Sequence, residues 1–137
     1  MPDKPETFTW ADAWILMAIF IGQARNSPAV DLTRIITIGD ALEHAILTRG
    51  ELEHGQRRLI AAGFVDRKPR GYRVLESHFA DARFRSAVER RVEGLREFLG
   101  APPWDSSYVP PVADSEQYVT EAEYRKAVGY YEEVRKT

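Results

Sequence analysis

The chain has 137 residues, no Cys, 29% charged and 44% hydrophobic residues, and a formal net charge of −2. One compact domain is expected at this length, with a core large enough to fold without metal or disulfide staples. Disulfides and Cys-based zinc or iron–sulfur centres are excluded, as are disordered, collagen-like and coiled-coil classes.

The one membrane-like stretch, Ala13 to Ile21, is nine residues long, whereas a spanning helix needs ~20. Asp3, Lys4, Glu6 and Asp12 make the segment ahead of Gly22-Gln23-Ala24 acidic where a secretory leader is basic. The expectation is a cytoplasmic protein without membrane contact, in keeping with the Cys-free composition.

In chain order, Thr9 and Asp12 form a variant capping box for a helix from Trp10 to Ala24, with Phe8 placed to staple onto Ala13. The middle of this helix is apolar on nearly every side, so it must be covered all round. It is either the central helix of the fold or the seam of a dimer. Asn26-Ser27-Pro28 ends it. Asp31 caps a second helix, whose buried face is Leu32, Ile35, Ile36, Gly39, Leu42 and Ile46, with a candidate bend at Gly39-Asp40. The third start is the clearest: Thr48 and Glu51 make a capping box, Leu47 and Leu52 a hydrophobic staple, and the helix stops at Gly63.

There the period changes. Phe64 to Lys68 and Gly71 to Leu75 are short strands flanking Pro69-Arg70-Gly71, a hairpin pattern. A fourth helix is predicted from His78 to Leu99, capped by Ser77, with an apolar stripe from Ala80 to Leu99, and Gly100 ends it. Residues 101–119 form a connector with prolines at 102, 103, 110 and 111, laid against the core by Trp104, Tyr108 and Val109. Thr120 with Glu123 starts the last helix, which buries Tyr124, Ala127, Val128 and Tyr131. The organisation is therefore a domain over 1–100, a connector over 101–119, and a C-terminal helix over 120–137 packed on that same domain.

Two helices joined by a tight turn and followed by a basic hairpin resemble a winged helix-turn-helix. The residues that carry the likeness are TRGEL at 48–52, RLIAAGFV at 58–65 and the hairpin to Val74. Within that superfamily the stretch is similar to small bacterial proteins of unassigned function. The resemblance implies a mainly α (α+β) winged-helix fold with a two-stranded wing and C-terminal helices, and a DNA-binding regulator of transcription. It implies that the helix from Arg49 enters the major groove, with Gly50, Glu53, His54 and Arg57 facing outward and Arg49 and Arg58 at the margins. The wing would set Arg67, Lys68, Arg70 and Arg73 against phosphates.

Charge bears on this reading. Asp31 to His78 holds eight basic and seven acidic residues, a net of +1, although Asp66 to Val74 alone has four basic residues and one acid. Glu51 is accounted for as a capping partner; Glu53, close to where phosphate would lie, is not. The alternative is a winged-helix adaptor that binds protein, its arginines solvated or paired with acidic neighbours. Self-association is a further expectation, since the first helix is apolar all round and the fourth carries a long stripe. The opposing possibility is that the last helix and the Trp104 connector cover these surfaces within one chain.

Nothing in the sequence points to catalysis, a cofactor or a metal. Glu51 and His54 have the Glu-x-x-His spacing of carboxylate-bridged metal sites but lack a second pair. Asp40 and His44 stand at i, i+4, an ordinary helix-surface pair. No metalloprotease, phosphate-loop, dinucleotide or nucleophile-elbow motif is present.

Overall fold

A computed structural model describes residues 7–23 and 29–135. Helix α1 (Trp10–Gln23) is buried without interruption from Ala11 to Ile19. Asp12 closes its first turn by accepting from the Thr9 backbone N–H at 2.8 Å, half of the predicted capping box. The expected stop at Asn26-Ser27-Pro28 lies outside the described residues.

Around α1 stand α2 (Leu32–Glu43), α3 (Arg49–Ala61), the hairpin and the helical segments of residues 82–99. The helix that is apolar all round is thus the central helix of one chain, which removes the first motive for a dimer seam. The α1–α2 contact is close: Trp14 Nε1 donates to the Gly39 carbonyl at 2.8 Å, and a Cβ on Gly39 would stand 3.2 Å from that nitrogen. Gly39 therefore serves close approach rather than a bend, and α2 runs unbroken to Glu43. Asp31 caps it as expected, accepting from Arg34 N at 2.8 Å.

The capping box of α3 is complete, Thr48 Oγ1 accepting from Glu51 N at 3.1 Å and Glu51 Oε1 from Thr48 N at 2.8 Å. Leu47 and Leu52 are both fully buried beside it. Strands β1 (Val65–Lys68) and β2 (Gly71–Val74) pair antiparallel, with Val65 opposite Val74 and Arg67 opposite Tyr72. Val65, Tyr72 and Val74 are the buried residues of the pair. Tyr72 exchanges backbone hydrogen bonds with Val30 at 2.7 and 3.0 Å. Gly71, at φ 155°, passes so near that a Cβ would lie 2.3 Å from the Val30 carbonyl oxygen.

The predicted fourth helix is not continuous. A short 3-10 helix (Glu76–Ala80) precedes α4 (Ala82–Glu89), capped by Asp81 rather than Ser77, and α5 (Arg91–Leu99) follows a break at Arg91, φ 60°. The two halves meet closely enough that a Cβ on Gly94 would lie 2.1 Å from the Ala87 carbonyl oxygen. Folding back brings Phe84, Ala87, Val92 and Leu95 onto one core. The stripe stays apolar through the break, so periodicity alone cannot reveal it.

Helix α6 (Glu121–Arg135) packs on α2, burying Ala127 and Tyr131. The Tyr131 hydroxyl donates to Asp40, and that of Tyr124 to the Leu47 carbonyl at 2.7 Å. Among the described residues the architecture is mainly helical, with one two-stranded antiparallel sheet, and no helix is long and apolar enough to cross a membrane.

Candidate functional site

Two surfaces gather most of the residues singled out in the sequence: the connector-facing side of α3, and the cleft where the hairpin meets α2 and α6.

The first surface is covered. The connector crosses α3, and Glu53, with 0% exposure, is its anchor. One carboxylate oxygen accepts from the backbone N–H groups of Tyr118 and Val119, both at 2.9 Å; the other accepts from Ser115 Oγ at 2.9 Å. Burial pushes the Glu53 carboxyl up, but these donors together with Arg49 outweigh it and hold it below its ordinary range. Arg49 answers from the next turn, Nη1 donating to the Ser115 and Val119 carbonyls at 2.9 and 2.8 Å, with Nε 3.2 Å from Glu121. One turn along, His54 Nε2 meets the Val112 carbonyl at 3.0 Å, and its Nδ1 lies 2.7 Å from Arg57 Nη2. With the proton on Nε2, His54 donates to the Val112 carbonyl and its Nδ1 accepts from Arg57. Arg57 also stands 3.5 Å from Asp114.

Gly50 marks the tightest approach: a Cβ there would sit 1.7 Å from the Pro111 carbonyl oxygen. The expectation that Gly50 and Glu53 face outward is therefore corrected, since both are buried beneath residues 111–119. Arg58 is corrected as well. It does not flank a reading face but forks onto α1, donating to both oxygens of Asp12 at 2.7 and 3.0 Å. Glu51, besides its capping role, accepts from the Tyr108 hydroxyl, whose pKa is raised by burial and by that carboxylate.

The hairpin cations are mostly spoken for. Arg67 donates to the Gln117 and Tyr118 carbonyls at 2.9 and 3.4 Å and lies 5.6 Å over the Tyr118 ring. Lys68 pairs with Asp66 at 2.9 Å and Arg73 with Glu76 at 2.9 Å. Arg70, at the turn, has no hydrogen-bond or ion-pair partner among the described residues. Tyr72 beneath them donates to the Tyr118 carbonyl at 3.0 Å, and burial raises its pKa to about 12.

The second surface is open. A cleft of about 660 Å³ runs between the N-terminal turns of α2, the hairpin tip and α6. Arg34, Arg67, Lys68, Arg70 and Lys126 line it, against Asp31 and Glu123. Like Arg70, the side chains of Arg34 and Lys126 have no partner among the described residues. Tyr130, 62% exposed, stands on the rim one turn from Lys126.

The histidines have local roles. His44 ends α2 in the left-handed conformation at φ 57°, and His78 contacts the Gly63 carbonyl at 2.8 Å and the Phe64 ring. Among the described residues no group of three or more acidic, His or Cys side chains could hold a metal ion.

Sequence reasoning overlooked Arg34, Lys126, Ser115 and Tyr118. Arg34 was legible as a cation on the exposed face of an amphipathic helix. The other three are assigned only when distant segments are brought together. No family model, no curated protein and no solved structure matches the chain.

Proposed function

We propose that the chain is a protein-binding module, built on a winged-helix-type unit of α2, α3 and the hairpin, that does not read DNA bases. One observation carries this reading: the buried Glu53 carboxylate holds the connector across α3 through three hydrogen bonds, so the face a duplex would meet is filled by the chain itself. A base-reading helix needs its N-terminal side chains free to reach base edges. Here Arg49 and His54 are engaged with connector carbonyls, and Arg57 faces Asp114. Exposed apolar residues lie on the connector (Trp104, Val109, Val112) and on α6 (Tyr130, Val134), the residue types that partner proteins cover. A cytoplasmic setting suits this reading. Homodimerisation would use a surface other than α1, which is covered within the chain.

A second reading, a DNA-binding regulator that grips phosphates through the hairpin, is favoured by Arg70, which lines the open cleft with Arg34 and has no partner among the described residues. Fluorescence anisotropy with labelled duplex DNA across a salt series separates the two. A protein-binding module shows no saturable duplex binding at low salt. Saturable binding whose log–log salt slope shallows by ~0.9 for each phosphate contact removed, when Arg67, Lys68, Arg70 and Arg73 become Ala, would establish the regulator instead.

A further inference from the structure

We infer that the cleft between α2, the hairpin and α6 is the docking site for an acidic peptide segment of a partner protein, one in which carboxylates flank a bulky apolar residue. The inference rests on the reading of the chain as a protein-binding module and names the surface and partner class it would use.

Three cations from three separate elements, Arg34 on α2, Arg70 at the hairpin turn and Lys126 on α6, converge on one cleft without partners among the described residues. Arg49, Arg58, Lys68, Arg73, Arg90, Arg96 and Arg125 are offset by carboxylate partners, whereas these three face a shared cleft, and the chain as a whole is acidic at −2. A local excess of positive charge on an acidic chain selects an anionic partner by complementarity.

The cleft also says which kind of anion. Its volume of about 660 Å³ is that of a site for a short segment, within the ~300–1,000 Å³ usual for bound ligands. Leu32, Pro69, Ala127 and the Tyr130 rim give it apolar surface where a hydrophobic side chain can be desolvated. Asp31 and Glu123 stand among the cations. Both carboxylates disfavour a nucleic-acid backbone, which carries a charge at every phosphate. A peptide with carboxylates on either side of one apolar residue can direct them to the three cations and keep that neutral residue on the side of Asp31 and Glu123. Arg67, turned onto the connector at Tyr118, supports the wall.

The test uses the full chain and three labelled probes at low salt: the peptide EELEE, its reversed-charge counterpart KKLKK, and a ten-residue oligothymidylate. Saturable binding of EELEE is expected, weakening with salt as exposed charge pairs are screened, with amide shifts clustered at residues 34, 70, 126 and 130. The double variant Arg70→Glu, Lys126→Glu changes only exposed positions and should weaken EELEE by about tenfold or more. Tyr130→Ala should weaken it several-fold. KKLKK should not bind.

Failure of EELEE to bind at millimolar concentration, equal binding by the charge-reversed variant, or tighter binding of oligothymidylate at the same residues would each overturn the proposal. The last outcome would make the cleft a single-strand site. If duplex DNA instead binds through Arg49 and His54, the module reading itself falls. If neither duplex nor EELEE binds, only the cleft assignment falls.

Discussion

A hydrogen bond of 2.9 Å joins the buried carboxylate of Glu53 to the backbone N–H of Val119, 66 residues away in sequence. The contact makes an acidic residue on a would-be reading helix intelligible. Glu53 is the acceptor that lets a loop-like connector bury its own amides, which would otherwise be costly. The neighbouring amide of Tyr118 and the hydroxyl of Ser115 share the same carboxylate. Glu53→Gln replaces one acceptor oxygen with a donor facing donors. It should cost about 1–3 kcal/mol in chemical denaturation, with the core helices still formed by circular dichroism. A variant as stable as wild type would show that the connector is not held there.

Gly50 offers a second route to the same contact. Gly50→Ala places a methyl group 1.7 Å from the Pro111 carbonyl oxygen, against backbone that has no rotamer to change. In an isolated helix the substitution is favourable by about 1 kcal/mol; here the connector must lift. The expected result is faster proteolytic cleavage within residues 105–117 together with unchanged or higher helix content. Undiminished protease resistance would contradict the packing described.

The pH dependence has a definite sign. The Glu53 carboxyl titrates below its ordinary range because the hydrogen bonds from Val119, Tyr118 and Ser115, with Arg49, outweigh its burial. Its contribution to stability is therefore fully present above the unfolded value of about 4.3 and is lost as pH falls through the folded value. Carboxyl NMR should record a Glu53 pKa below that of an unstructured peptide. Acidification from pH 5 downward should release the connector in wild type, and Glu53→Gln should flatten that part of the profile. A Glu53 pKa above the ordinary value would reverse the argument.

Gln56 is fully buried on α3, and neither its amide nitrogen nor its amide oxygen has a hydrogen-bond partner among the described residues. A buried amide in that state is destabilising, and an apolar side chain of similar shape removes the penalty. Gln56→Met should raise stability by about 1–2 kcal/mol, read as a shift in the denaturation midpoint at unchanged slope. A loss of stability would mean that the amide is satisfied and matters.

Much of the framework is legible in local chemistry. The Thr48–Glu51 capping box, the Asp31 cap and the turn at Pro69-Arg70 follow from signals a few residues long, and the all-round apolar α1 shows that it must be covered, though not whether by its own chain or by a second copy. The break at Arg91 is not legible, because the apolar stripe continues across it and the close contact of Gly94 with Ala87 is tertiary. The site divides the same way. Hairpin cations are visible as a cluster, but their partners at Gln117 and Tyr118 lie some fifty residues on. Glu53 reads as an exposed acid until the connector that buries it is placed. Arg34, Arg70 and Lys126 become one surface only once α2, the hairpin and α6 meet.

The most direct measurement is native-state amide hydrogen exchange at Tyr118 and Val119 in the wild-type chain. These two amides are tied to Glu53 across the outward face of α3. Both should exchange far more slowly than in an unstructured peptide, and both should lose protection together in Glu53→Gln while the amides of α1 stay protected. Exchange of Tyr118 and Val119 at the unprotected rate in wild type, with α1 protected, would contradict the account, because the face of α3 would then be open for a duplex to read.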